Sequence, residues 1–397
     1  MNPGVKYILL VPDGMADRPL DELGGRTPMQ VARKPNMDRL AAEGRVGAVH
    51  TIPDGMDPGS DVAAMSLMGY DPREYYTGRG PIEAVSMQIP LDPNDVAYRC
   101  NLVSSDGETM IDYSGGHVST EEARELMTLV REKLGTSKLS FYPGVSYRHI
   151  MVWRDGAWDV KTTPPHNITG EPIAEYLPVG DGDQTLRGLI YDSIDLLNDH
   201  PINRRRREEG KSPANMIWPW GQGRALSLPN FLAKSGLTGA VVAAVDLVKG
   251  LGRAVGLKVM DVPGATGYLD TNFEGKAQHA LEALKERDFV FIHVEAPDEA
   301  GHIGDIDKKI EAIENVDARL LGTLLDGLKE VEQFRILIVP DHATPIAIKT
   351  HAEDPVPFAI YSSFEPGGTN LPFDERAIED TKLKVEEGFR LIDLLLA

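Results

Sequence analysis

FVFIHVEAPDEAGH, residues 289–302, joins an apolar run to two side chains of metal-ligand type. Phe289 to Ile292 is apolar on both faces, which predicts a central strand of a parallel sheet rather than an edge strand. In open α/β sheets the residues just past the carboxyl end of a strand line the ligand crevice. Asp298 and His302 follow that end and stand four apart. On a helix that spacing puts both on one face, where they can grip one cation.

The same grammar recurs elsewhere in the chain. Tyr7 to Val11 reads as a strand that stops at Pro12-Asp13, and Arg335 to Val339 as one that stops at Pro340-Asp341-His342. Nine residues beyond lies His351, within KTHAEDPVPF. Apolar strands that end in Pro-Asp supply carboxylates at one edge of a sheet. Asp13, Asp298, His302, Asp341, His342 and His351 together make six oxygen and imidazole donors, too many for one catalytic ion with open positions and suited to two. A pair of cations about 4 Å apart is a common device for phosphoryl transfer, because it steadies both the attacking and the leaving oxygen. Read singly, each residue is an ordinary turn or cap residue. Read together, they require several coincidences.

Gly59-Ser60-Asp61 precedes the apolar helical pattern Val62 to Met68, which puts the Ser60 hydroxyl at a helix N-terminus. There the backbone amides and the helix dipole favour a phosphate. Serine is also a favoured N-cap residue and needs no chemistry to be found there. Ser60 is therefore a candidate nucleophile and a seventh ligand.

Composition narrows the field. A net charge of −20 argues against a nucleic-acid surface or a polybasic membrane anchor. The one cysteine, Cys100, excludes an intramolecular disulfide and a thiolate metal cage. No basic, then apolar, leader opens the chain and no apolar run reaches a membrane-spanning length, so the expected location is the cytoplasm. Gly250 to Gly256 imitates a dinucleotide fingerprint with its last glycine one position late, and no Walker A sequence occurs.

The chain is long enough for more than one domain. Between Ala84 and Gly180 its texture changes. Short β-rich pieces (Val85 to Ile89, Val96 to Val103, Val145 to Val152) surround one clear helix, Thr120 to Leu134, with turns at Asp106-Gly107 and Gly115-Gly116. The expected architecture is an α/β core over 1–83 and 181–397, with a largely parallel sheet flanked by helices, and a smaller inserted α+β domain over 84–180. Asp307 to Glu330 reads as a long amphipathic helix with Ile310, Ile313, Val316 and Leu320 on its core-facing stripe.

Taken in order, PDGM, GSDVAAMSLMGYDP, YYTGRGPIEA, YRCNL, PDEAGH and PDHATP…THAEDPVP resemble the archaeal-type branch of cofactor-independent phosphoglycerate mutase, in the alkaline phosphatase superfamily. The resemblance covers essentially the whole chain. It implies an alkaline-phosphatase-like core with an inserted substrate-binding or lid domain. It also implies two divalent cations, typically Mn²⁺ with Zn²⁺, Co²⁺ or Mg²⁺ as substitutes, and no 2,3-bisphosphoglycerate. By motif, Ser60 becomes the phosphoserine. Asp298, His302 and His351 would hold one metal, and Asp13, Ser60, Asp341 and His342 the other. Ser66 does not match the nucleophile position. The substrate would be a small phosphorylated acid, with Arg79, Arg99, Arg148, Lys249 and Arg253 as candidates to grip its anionic groups. His149 and His166, with His117, are candidate proton carriers. Two rival activities share the apparatus: a homoserine phosphotransferase, differing in the pocket, and a metal-dependent phosphatase, in which water takes the phosphoryl group. The oligomeric state is left open.

Overall fold

The structure, a computed structural model, describes residues 4–365 and 367–397. These form two compact units, one running up to Tyr76 and resuming over Leu228–Ala397, the other spanning Thr77–Ser227.

The first unit is an α/β layer structure around an eight-stranded sheet. Its strands lie in the order Lys258–Met260, Gly239–Val242, Phe289–Val294, Lys6–Pro12, Phe334–Ile338, Val356–Ser362, Arg45–Val49 and Lys384–Val385. All run parallel except Val356–Ser362, which is antiparallel to both neighbours. The predicted central strand is there. Every residue of Phe289–Val294 is buried, as a strand covered by helices on both faces requires. Lys6–Pro12 sits between it and Phe334–Ile338, with Pro12 opposite Val294 and Leu10 opposite Ile338. Extending those registers brings Asp13 level with Glu295 on one side and Asp341 on the other. Three acids from distant parts of the chain thus reach one edge of the sheet.

The predicted helix after Asp307 is present with a break in its winding. Ile306–Asn315 passes through a π-helical stretch, Val316–Leu321, into Gly322–Leu328. The wide turn buries Asp317, whose carboxylate accepts from the backbone N–H groups of Asn36 (3.3 Å) and Met37 (2.7 Å). It thereby caps the helix Pro35–Glu43, which has no side-chain cap of its own.

The second unit is built on an antiparallel sheet. Val96–Ser105 is its centre, with Arg148–Trp153 on one side and Met216–Arg224 on the other, and Leu139–Tyr142 and Met110–Asp112 complete it. Tyr98, Cys100 and Leu102 pack in one cluster with residues of the helices Thr120–Leu134 and Asp183–Leu197. A separate cluster joins Ala97, Ile150 and Val152 to Ala84 of the helix Arg79–Ser86. That helix touches the sheet backbone directly: a Cβ on Gly80 would meet the Ala97 carbonyl oxygen, so GRGPIEA needs glycine there.

Two expectations are corrected. The second unit spans 77–227 rather than 84–180, because Asp183–Leu197 and Met216–Arg224 belong to it; the strand pairs with Val96–Ser105, a contact that local periodicity does not announce. Val85 to Ile89 is not a strand, since most of it completes and follows the helix Arg79–Ser86.

Candidate metal centre

The donors predicted from the strand ends converge. Asp13 continues its strand's ladder, donating its N–H to the Val294 carbonyl at 2.9 Å. Gly14 follows with φ 58°, and a Cβ there would collide with Asp298 and Thr344, so only glycine lets the two loops approach. Asp341 accepts through Oδ1 from the N–H groups of Gly14 (3.0 Å) and His342 (2.9 Å). Its other oxygen, Oδ2, is buried with no hydrogen-bond partner among the described residues. His342 Nε2 lies 3.3 Å from Asp13, 3.5 Å from Asp341 and 3.3 Å from Ser60 Oγ.

Ser60 is the first residue of the helix Ser60–Leu67, whose N-cap is Gly59. Its hydroxyl does not cap that helix. It faces Asp13 at 3.3–3.4 Å and His342 instead. The structural explanation of the serine as a helix cap therefore does not apply.

Asp298 and His302 share one face of the helix Ala296–Ile303, 3.2 Å apart. His351 Nε2 comes to 3.6 Å from Asp298 and 3.1 Å from His302 Nε2. Hydrogen bonding fixes what these rings present. His302 Nδ1 lies 3.0 Å from the Lys349 carbonyl, and His351 Nδ1 lies 3.2 Å from the Pro58 carbonyl. A carbonyl only accepts, so each Nδ1 carries its hydrogen, and in the neutral rings each Nε2 would turn a lone pair on the other. Thr344 works similarly: its hydroxyl donates to Asp298, accepts from His342 Nδ1 at 3.2 Å, and leaves His342 Nε2 as a lone pair among carboxylates. Lone pairs facing lone pairs and acids require a shared proton or a cation. The donor set fits divalent metal ions on this ground. Asp13, Asp341 and His342 bring donor atoms within 4.8 Å of one another, as do Asp298, His342 and His351, so His342 belongs to both groups.

The electrostatics agree. Burial, then Asp341 and Asp298, push Asp13 well above the usual carboxylate range. Burial also works against Asp341, but His342 and His293 hold it down at about 2. Hydrogen bonding to Asp298 holds His302 up at about 9.

Residues that sequence reasoning missed stand behind these donors. His293 is fully buried, with Nε2 3.4 Å from Asp13 and Nδ1 3.2 Å from Glu295. Glu295 in turn pairs with buried Lys276 at 2.8 Å. Burial alone would push His293 down, and the neighbouring carboxylates of Asp341 and Glu295 outweigh it, holding the imidazole at about 9. The only sequence signal was a polar residue inside an apolar strand.

The remaining candidates divide. In the second unit, Arg99 is buried on the central strand, 3.1 Å from Glu83 and stacked 4.5 Å over Trp220. Arg79 reaches Glu83 at 3.3 Å, and Arg148 lies 5.2 Å over Tyr147. Burial, despite Glu83, pushes Arg99 down to about 10, with Arg79 and Arg148 adding like charge. His166 is exposed beside Trp220, ring centres 5.5 Å apart. His149 is corrected: it is sealed in the interior, accepts from the Gly144 N–H at 3.0 Å, and burial pushes it down to about 3. A neutral histidine without exposure is not placed to carry protons to a ligand. In the first unit, Lys249 and Arg253 lie on the helix Asp246–Ala254, where Lys249 pairs with Asp261 at 3.4 Å. Among the described residues, no helix is long and apolar enough to cross a membrane.

Oxygen and imidazole donors gathered at the carboxyl edge of a mainly parallel sheet, with a serine at a helix start among them, define an α/β enzyme of the metal-assisted phosphoryl-transfer class. Residues 41–203 match the family model of 2,3-bisphosphoglycerate-independent phosphoglycerate mutase. A protein of Geobacter sulfurreducens named as a probable enzyme of that kind is 51% identical, the alignment covering 99% of this chain and 100% of the relative. One from Methanosarcina barkeri with the same name is 52% identical, covering 99% of each chain. Among solved structures, a Pyrococcus horikoshii protein superposes with a TM-score of 0.82 at 33% identity, covering 99% of this chain and 97% of the other. The cofactor-independent phosphoglycerate mutase of Thermoplasma acidophilum gives 0.66 at 27%, covering 99% of each. The chain belongs to the 2,3-bisphosphoglycerate-independent phosphoglycerate mutase family.

Proposed function

We propose that this chain interconverts 3-phosphoglycerate and 2-phosphoglycerate by way of a phosphoserine at Ser60, with two divalent cations, Mn²⁺ above all, held by the converging donors. The observation that carries the reading is the Ser60 hydroxyl, turned from its own helix start toward Asp13 and His342 at 3.3–3.4 Å. A serine hydroxyl is a weak nucleophile at neutral pH and needs help to lose its proton. Bound cations supply charge neutralisation for the phosphoryl oxygens and lower the proton affinity of the serine. Asp298, His302 and His351 would hold one cation, and Asp13, Asp341 and His342, with Ser60, the other. With the His342 Nε2 lone pair given to a cation, the Asp13 carboxylate would be the acceptor within reach of the Ser60 proton. Ser60 Oγ bonds to phosphorus as the bond to the glycerate 3-oxygen breaks, and that oxygen leaves as a hydroxyl after taking up a proton. The retained glycerate then offers its 2-hydroxyl, which takes the phosphoryl group and returns a proton to Ser60.

The substrate's carboxylate and phosphate call for fixed positive charge, and Arg79, Arg99 and Arg148, with Lys249 and Arg253, are the side chains of that chemistry. The expected compartment is the cytoplasm. Relatives of about half identity named as phosphoglycerate mutases favour the mutase over a homoserine phosphotransferase.

The test is to supply Mn²⁺-loaded protein with 3-phosphoglycerate and no 2,3-bisphosphoglycerate, and to follow 2-phosphoglycerate by phosphorus NMR. Free phosphate as the main product, or activity only with homoserine and a phosphoryl donor, would replace the mutase reading. Ser60→Ala is expected to abolish turnover, a loss on the order of 10⁴-fold or more, with the cations still taken up.

A further inference from the structure

We infer that His293, anchored by Glu295 and Lys276, is a positioning residue that orients Asp13 and Asp341 for the cation beside Ser60. This inference rests on the two-cation reading of the donor cluster.

The residues form one buried line. Lys276 Nζ, on the helix Phe273–Glu286, donates to Glu295 Oε2 at 2.8 Å and to the His293 carbonyl at 2.9 Å. Glu295 Oε1 faces His293 Nδ1 at 3.2 Å and also accepts from the N–H groups of Ala244 (3.3 Å) and Val245 (3.2 Å). His293 Nε2 then faces Asp13 Oδ2 at 3.4 Å and Asp341 Oδ2 at 3.8 Å. Lys276, His293 and Asp341 are fully sealed from solvent, and Glu295 nearly so.

Two features separate this line from an ordinary buried ion pair. Carboxylates flank both nitrogens of the ring at 3.2–3.8 Å, Glu295 at Nδ1 and Asp13 with Asp341 at Nε2. The oxygen it approaches on Asp341 is the one left without a hydrogen bond among the described residues, while Oδ1 is already held by two backbone N–H groups. A buried Lys–Glu–His line contributes little to stability over an apolar filling of the same volume. Its specific effect is geometric. It keeps two acids from neighbouring strands apart and turned the same way, as outer-layer partners of metal ligands do. Asp298, on the other side of the cluster, has Thr344 instead.

The experiment is a Mn²⁺ titration of chelator-stripped protein, read by the EPR signal of free Mn²⁺. Wild type is expected to take two ions. His293→Leu is expected to weaken one of them by about 10–100-fold and to leave the other unchanged, with kcat falling and KM for 3-phosphoglycerate held. His293→Gln, which restores an N–H donor, should recover part of the lost affinity, and it carries the test alone if the leucine variant does not fold. Two ions bound by His293→Gln and His293→Leu as tightly as by wild type would overturn the inference, as would equal weakening of both sites. Wild type that binds fewer than two ions would instead remove the two-cation reading itself.

Discussion

The two sides of the donor cluster are built differently. On the Ser60 side, the side chains of Asp341 and His342 are 0% exposed, and Asp13 and Asp341 are backed by a line of buried charges. On the other side, His302 is 35% and His351 24% exposed, and their rings are steadied by backbone carbonyls. Strand ends supply the first set, and a short helix and a loop supply the second. The closed side has its geometry set by the sheet, whereas the open side depends on segments that can give. A cation on the closed side should therefore be held tightly and exchange slowly, and one on the open side should come and go.

The largest expected effect lies on the closed side. Asp341→Asn removes a ligand charge from a sealed site, and kcat should fall on the order of 10³-fold, more than the loss of an outer-layer partner would cause. Millimolar Mn²⁺ should not restore it, and metal analysis should find one bound ion. Full rescue by Mn²⁺ would break the distinction between the sides.

His302→Ala tests the open side. One Mn²⁺ should bind about 10–100-fold more weakly, and excess Mn²⁺ should restore most of the turnover because solvent already reaches the position. A steady-state titration of activity against Mn²⁺ reads this directly.

The smallest effect sharpens the comparison from behind the open side. Asp298 hydrogen-bonds Thr344, whose carbonyl accepts from buried Lys309 at 2.8 Å. Lys309 pairs with Asp17 at 2.8 Å, and the Asp17 N–H donates to Glu375 at 3.0 Å. Burial pushes Glu375 up to about 7, against its hydrogen bonds with Thr27 and Asp17. An acid whose folded value lies above its unfolded one favours the folded state in its protonated form. Stability is therefore lost as pH rises from about 4.3 toward 7 and stays lost above that. Glu375→Gln should raise stability at pH 8, by on the order of 1 kcal/mol after allowing for its partial exposure, and change it little at pH 4.5. Thermal melts at the two pH values check the sign.

What sequence could supply follows from what is local. Pro12-Asp13 and Pro340-Asp341-His342 declare themselves because a strand's apolar run and its breaker are contiguous. Asp298 and His302 do so because a helix turns four residues onto one face. Ser60 was ambiguous until the structure showed Gly59 in the cap position. His293 lay hidden inside FVFIHV, since a buried polar residue in a strand explains itself only through partners on other elements. The extent of the second unit failed for the same reason. The periodicity of Asp183–Leu197 and Met216–Arg224 identifies a helix and a strand, but not which sheet they join. His149 gives no local sign of its burial, since only the first residue of Arg148–Trp153, Arg148, is exposed and the four that follow are buried.

The most direct test of the account is to quench Mn²⁺-loaded protein during turnover of phosphoglycerate and map covalent phosphate by peptide mass spectrometry. The account predicts phosphate on Ser60 and none in the Ser60→Ala protein. Phosphate on another residue, or steady turnover by the alanine variant, would contradict it.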